Sequence, residues 1–285
     1  MTPLGTSLLV TLAIDFGIQL AAYVVSAALH TERLYDLSGA LAYLSCDVVA
    51  LLWRQSGEGL GALAFRQVAA AIAAFVWSAR LGSFLFARVL RVEDKRFDSF
   101  KKNPALFAIP FFMQVVWIFL AALPVWVVLA NPGSSQPGLA WSDIVGLVIW
   151  AAGFVFEVVA DNQKSAFKKD HPNDFVTTGV WAYSRYANYF GEVTLWIGMF
   201  VLCAAGFVEP WQWVSIVSPV FEFCLIWFVS GVPLAEQNAA KRYGSRADYQ
   251  DYVARTSKFI PWPPRQRGAV TLPSSSPVPE DNGAA

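Results

Sequence analysis

Apolar residues fall into seven long blocks along the chain, separated by shorter polar connections. The blocks run roughly from Gly5 to Leu29, Leu37 to Trp53, Leu60 to Leu85, Pro104 to Ala130, Leu139 to Val159, Tyr189 to Phe207 and Trp211 to Gly231. About 20 mostly apolar helical residues cross a hydrocarbon core, so each block predicts a membrane span. The second is short and carries Asp47, and Arg66, near one end of the third, is expected to snorkel toward the interface. The predicted fold is all-α, a polytopic transmembrane bundle of about seven helices forming one domain over residues 1–264. Beyond it, Arg265 to Ala285 is rich in Pro, Ser and small residues without apolar periodicity, which predicts a disordered cytoplasmic tail.

Composition agrees with this pattern. Of 285 residues, 56% are hydrophobic and the mean hydropathy is +0.45, too apolar for an ordinary soluble domain. No Lys or Arg precedes the first block, and the block is long enough to span, so it predicts a retained helix rather than a secretory signal. The net charge is zero, and no overall basic field points to nucleic acid. The bases are strongly clustered instead. His30 to Asp36, Arg91 to Asn103, Asp161 to Asn188 and the tail from Leu234 hold 17 of the 21 Lys and Arg residues. By the positive-inside rule those segments face the cytoplasm, as does the C-terminus, and the N-terminus lies outside. Cys46, Cys203 and Cys224 lie in apolar blocks, and His30 and His171 have no ligand-spaced partner, so neither a disulfide framework nor a metal site is expected.

The most polar stretch between two apolar blocks is Glu157 to Glu192, EVVADNQKSAFKKDHPNDFVTTGVWAYSRYANYFGE. If the fifth helix continues past the bilayer, Glu157, Asp161, Lys164 and Lys168 share one face of it. Arg185, Asn188, Tyr189 and Glu192 recur at i, i+3, i+4 and i+7 and predict a polar stripe on the helix entering the sixth block. Polar groups at that depth need a reason. Ala235 to Pro264 reads as an amphipathic, partly helical segment with Tyr243, Tyr249, Tyr252 and Arg246, ordered against the same face. Arg and Lys supply donors for phosphate oxygens, and tyrosines stack on or hydrogen-bond to adenine and ribose. Lys164, Arg246, Tyr243 and Tyr252 are therefore candidate nucleotide contacts. The alternatives are a solvated loop that binds lipid headgroups and interfacial aromatic anchors. No G-x-G-x-x-G motif follows a strand, so a nucleotide would have to lie among helix ends.

Several segments together resemble a bacterial membrane family related to the steroid 5-alpha-reductases. They are SRYANYFGE, the upstream DNQKSAF, WSARLGSFLFARVLRVEDKRFD from Trp77 to Asp98, and the closing YGSRADYQDYVARTSKFIPWPP. More distantly they are similar to sterol C14 and C7 reductases and isoprenylcysteine carboxyl methyltransferases. The resemblance implies that the C-terminal half, about residues 139–264, forms a cofactor cleft closed by the cytoplasmic loops and C-terminal segment. It also implies that Arg185, Asn188, Tyr189 and Glu192, matching the pattern R-H-x-N-Y-x-G-[DE], contact NADPH. Tyr186 and Ala187 stand where the family has His-Pro. In the reductases a tyrosine and an acid polarise the substrate carbonyl. Tyr43 and Asp47, one turn apart in the second block, are the candidate catalytic pair here, with Arg80 and Gln114 as alternatives. The competing reading of Tyr43 and Asp47 is an interhelical hydrogen bond.

The expected function is a membrane-embedded, NADPH-dependent reductase of a carbon-carbon double bond in a lipophilic enone of sterol, isoprenoid or other lipid type. The expected setting is a bacterial inner membrane, with lipids as neighbours and neither metal nor nucleic acid as partner. An S-adenosylmethionine-dependent lipid or prenyl-thiol methyltransferase and a non-catalytic lipid-binding protein are the alternatives.

Overall fold

The computed structural model describes residues 3–58, 63–89 and 97–265. The expected disordered tail lies, beyond Arg265, outside the described residues, as do residues 90–96 of the third connection. Among the described residues the chain is helical, with no strand. Its α-helices are α1 (Pro3–Leu29), α2 (Arg33–Glu58), α3 (Phe65–Val89), α4 (Pro104–Ala130), α5 (Trp141–Asp170), α6 (Ala187–Ala204), α7 (Val217–Cys224), α8 (Val232–Tyr243) and α9 (Ala247–Arg255). Seven segments are long and apolar enough to cross a membrane: α1 to α6 and a composite seventh from Pro210 to Tyr243. The protein is a multi-pass integral membrane protein.

Local sequence sets the helix ends. The Asn103 side chain accepts from the Ala105 N–H at 2.9 Å and Pro104, which has no N–H, opens α4, so fewer donors are left unpaired at its start. The Asp143 carboxylate accepts from the Ala140 N–H at 2.8 Å at the start of α5, while Lys168 and Lys169 sit in its last turn, where the helix dipole favours positive charge. That helix runs 30 residues, well past the predicted end at Val159, before it stops at His171.

The seventh span departs from the single helix expected between Trp211 and Gly231. A 3₁₀ segment (Pro210–Ile216) leads into α7, a π-helical turn (Leu225–Val229) follows, and α8 restarts beyond Gly231. Pro210 and Pro219 remove two backbone donors, and the Ser230 N–H reaches the Leu225 carbonyl at 2.9 Å across five residues.

Helix α4 is central, packing on α1, α2, α3, α6 and α7, while α5 and α6 form a tight antiparallel pair. The pair meets through glycines at heptad spacing on both helices, Gly146 and Gly153 against Gly191 and Gly198. A methyl group on Gly191 would come within 2.7 Å of the Glu157 backbone nitrogen, and one on Gly153 within 2.8 Å of the Gly191 carbonyl oxygen. Small residues let helix backbones approach where lipid supplies no hydrophobic drive. Here they set Glu157 beside the turn that carries Glu192.

At the end of the bundle opposite the lysine-rich loops, Arg66 was expected to snorkel from its helix end. It is 1% exposed instead. Its Nε and Nη2 donate to Asp143 at 2.9 and 3.0 Å, and its Nη atoms donate to the Pro137 and Gly138 carbonyls at 2.8 and 2.9 Å. Backbone carbonyls left over by the turn before α5 hold the guanidinium inside. Nearby, Asn131 and Gln212 exchange two hydrogen bonds of 2.9 Å, tying the α4 end to the seventh span.

Breaking this ion pair from one side strands a buried carboxylate, which typically costs about 3–5 kcal/mol. Arg66→Met is therefore expected to lower unfolding stability in detergent by that order, and Arg66→Met with Asp143→Leu is expected to recover most of it. A single variant as stable as the parent would show that the pair does not hold this end.

Candidate functional site

Three helices bring charge together where α5 and α6 approach the lysine-rich face. Arg80 of α3 reaches across to α5, where Nη1 hydrogen-bonds Glu157 Oε1 and Nη2 bonds Asp161 Oδ2 at 2.5 Å. The Asn188 amide of α6 donates to the other Asp161 oxygen at 3.2 Å. One turn deeper, Glu192 accepts from Trp196 Nε1 at 2.9 Å and from Trp77 Nε1 at 3.3 Å. The rings of Trp77 and Trp196 lie edge to face at 4.9 Å, and Tyr43 of α2 packs against them at 5.1 and 6.2 Å. The Tyr43 hydroxyl has no hydrogen-bond partner among the described residues, and neither has Glu157 Oε2. Glu222 of α7, 2% exposed, keeps one oxygen unpartnered as well. Unpaired polar atoms at such depth are costly in a settled core, so this pocket of acids, indoles and one phenol is the inner tier of a candidate site.

An outer tier lies above it. Arg185 sits before α6 rather than within it, because its N–H donates to the Ser257 carbonyl at 2.9 Å and folds the closing segment onto the site. Its Nη1 lies 3.5 Å from Glu236, which also binds Lys258 at 3.0 Å, and its Nε has no hydrogen-bond partner among the described residues. Tyr186 and Tyr189 stack at 5.9 Å with 14° between their planes. Burial pushes the Tyr186 phenol up, so it stays a neutral donor. Tyr186 packs with Val193, Ile226 and Val232 in an apolar setting.

Further out, Lys168 donates to Tyr243 Oη at 3.1 Å and to the Asp174 carbonyl. Arg246 pairs with Asp174 at 3.0 Å and Asp248 at 2.6 Å, and lies over the Phe175 ring at 4.9 Å. Asp248 is held below the usual carboxylate range by the Arg246 guanidinium. Phe175 is the hub of this patch, in ring contact with Tyr243, Tyr249 and Tyr252.

The predicted residues thus divide by depth. Asn188 and Glu192 line the inner tier, Arg185 and Tyr189 stand above it, and Tyr243 and Arg246 form the outer patch. Lys164 lies over the Trp181 ring at 5.3 Å, and the Tyr252 hydroxyl donates to the Trp181 carbonyl at 2.7 Å, so both support the loop wall. Of the pair on α2, Tyr43 faces the tryptophans, but no hydrogen bond joins it to Asp47. Asp47 accepts instead from Trp126 Nε1 on α4 at 3.0 Å.

The sequence of one family, described as a protein of unknown function (DUF1295), matches residues 22–256. The chain belongs to the DUF1295 family. No curated protein and no solved structure matches it. Apart from Ser257 and Lys258, both tiers of the candidate site fall within the segment shared with DUF1295, as do Arg80, expected only as an alternative catalytic residue, Glu157, expected only on the polar face of the fifth helix, and Trp77, which was assigned no role from sequence. Their signal was the cost of charge inside an apolar block. What a single sequence does not carry is which helix each charge meets.

Two surface hollows lie away from the cluster. One, about 490 Å³, is an apolar groove on α5 lined by Ala151, Ala152, Val155, Phe156, Val159 and Val180. The other, about 350 Å³, lies beside Arg66 at the opposite end.

Arg80→Met is expected to destabilise the protein by about 3–5 kcal/mol by leaving Glu157 and Asp161 without their cation. Glu157→Gln in the same chain should restore part of the loss. Chemical unfolding in detergent measures both, and additive effects of the two substitutions would refute the coupling.

Proposed function

We propose that the chain is a membrane-embedded reductase that uses NADPH to saturate a carbon-carbon double bond in a lipophilic enone. The observation that supports this best is the stacking of the two tiers. Arg185, a forked cation with an unpartnered Nε, stands beside the paired rings of Tyr186 and Tyr189, at the head of the helix whose next turns carry Asn188 and Glu192 toward the buried carboxyls, the indoles and the unpartnered Tyr43 hydroxyl. A guanidinium with spare donors fits a phosphate-bearing ligand. Arg185, Lys168 and Arg246 would hold the phosphates, Tyr189 and Tyr243 would flank the ring systems, and Asn188 and Glu192 would meet the end that reaches inward. When bound, NADPH supplies the hydride.

The chain's own residues do the rest. The Tyr43 hydroxyl, buried and unspent, is placed to donate to the substrate carbonyl oxygen as enolate charge develops. Trp77 and Trp196 fix the Glu192 carboxyl through both its oxygens and exclude water from its inner side. Asp47, already bound to Trp126, positions α2 against α4 and contributes to the catalytic pair by holding Tyr43 in register. The substrate would arrive sideways from lipid. The clustered bases put the outer tier in the cytoplasm, and a bacterial inner membrane is the setting this reading assumes.

Binding titrations on detergent-purified protein test the proposal, with NADPH, NADH and S-adenosylmethionine in parallel. Saturable NADPH binding is expected, weakened about tenfold or more in Arg185→Ala, equivalent to about 1.4 kcal/mol. Tyr43→Phe should leave that affinity intact and lower turnover of a lipid enone by about a hundredfold or more. Folded protein that ignores NADPH would overturn the reading, and binding of S-adenosylmethionine in its place would redirect it to methyl transfer.

A further inference from the structure

Helix α1 carries a polar stripe that the reductase reading does not use. Ser7, Thr11, Asp15 and Gln19 follow at steps of four and Ser26 seven residues later, so they share one helical face. All five are at most 2% exposed. The face is turned inward, since Ser38 of α2 donates to Gln19 Oε1 at 3.0 Å and the Cys46 thiol donates to the Thr11 carbonyl at 3.2 Å. From Ser7 to Ser26 the stripe covers about 28 Å at 1.5 Å per residue, close to the roughly 30 Å of a hydrocarbon core. A polar line therefore crosses the whole membrane inside the bundle, with a carboxyl near its midpoint.

Asp15, like Glu222 but unlike most of the other buried acids, is not met by a charged partner. Asp143 has Arg66, Glu157 and Asp161 have Arg80, Asp47 has Trp126 and Glu192 has two indoles. The polar neighbour of Asp15 is Gln19, one turn on along the same stripe, but neither carboxyl oxygen has a partner at full hydrogen-bond geometry among the described residues, and the same holds for Ser7 Oγ, Gln19 Nε2 and Ser26 Oγ. Packing alone would be served better by an apolar residue, since an acid at mid-membrane is costly to insert. Helix α2 brings Cys46 into electrostatic reach of Asp15. Helix α4, the other neighbour, contains no ionisable side chain in its 27 residues. Among the described residues no protein cation is paired with Asp15, and no cluster of three His, Cys, Asp or Glu exists to share a metal with it. The charge partner that needs no further ligands is a proton from solution. Asp15 also precedes residue 22, where the family match begins.

We propose that the inner face of α1 is a transmembrane proton path and that Asp15 is its proton-binding site. The carboxylate takes a proton from one aqueous face and releases it to the other, with Ser7 and Thr11 on one side and Gln19 and Ser26 on the other relaying through their polar groups. No electron transfer is involved.

The test uses the full-length protein in phosphatidylethanolamine and phosphatidylglycerol vesicles that trap a pH-sensitive dye. A potassium diffusion potential set with valinomycin drives protons across. The parent protein is expected to change internal pH several-fold faster than protein-free vesicles do. Asp15→Asn, checked for folding by near-ultraviolet circular dichroism, should fall to the protein-free rate, and Asp15→Glu should retain flux. If Asp15→Asn does not fold, dicyclohexylcarbodiimide decides on the parent protein, since it adds to protonated carboxyls in lipid. An adduct mapped to Asp15 by mass spectrometry should abolish the flux. Parent flux equal to that of empty vesicles, an Asp15→Asn variant that conducts like the parent, or a labelled protein that still conducts would each overturn the proposal.

Discussion

Charge placed inside a bilayer is costly unless an opposite charge meets it, and Arg80 is the point at which α3, α5 and α6 meet that demand together. It neutralises Glu157 and Asp161, and Asp161 in turn orients Asn188. Without this cation the polar face of α5 would turn two carboxylates into a low-dielectric interior, where the penalty is several kcal/mol per ion. The glycine contacts between α5 and α6 matter for the same reason. They bring the backbones close enough for Glu157 and Glu192 to occupy one pocket, and the indoles of Trp77 and Trp196 then set the direction of the Glu192 carboxyl.

Much of the architecture was legible in the sequence because hydropathy reports burial in lipid directly. The seven apolar blocks correspond to the seven candidate spans, and the stripe from Glu157 to Lys168 shares one helix because α5 continues to Asp170. The seventh block was read as one regular helix, whereas Pro210, Pro219 and Gly231 divide it into 3₁₀, α, π and α segments. Average hydropathy is insensitive to such backbone changes. Arg66 was misread for a related reason. Its position near a block end implied solvent, but its partners, Asp143 and the carbonyls of Pro137 and Gly138, lie more than seventy residues away in the chain.

The candidate site shows the same division between local and distant information. The run from Arg185 to Glu192 was conspicuous because polar residues at helical spacing enter an apolar block. Nothing in that run indicated that Trp77, over a hundred residues earlier, would donate to Glu192, or that Tyr43 would complete the wall. Tyr43 and Asp47 looked like a pair because they are one turn apart. A helical turn brings side chains to one face, but each then answers to the helix it packs against, and Asp47 found Trp126 on α4.

The 30 residues of α5 give it a length of about 45 Å, against about 30 Å for the hydrocarbon core. Its last third therefore stands clear of the lipid as a rigid post, and the loop from His171, the start of α6 and helices α8 and α9 are hung on it. Glu157 and Asp161 lie roughly two thirds of the way along that helix, at the foot of the overhang. A greasy molecule need not leave the membrane to reach this level, and a charged one need not shed its hydration in hydrocarbon to meet it. On the proposed reading, the overhang of a single helix would make a common ground for reactants that otherwise partition into different phases.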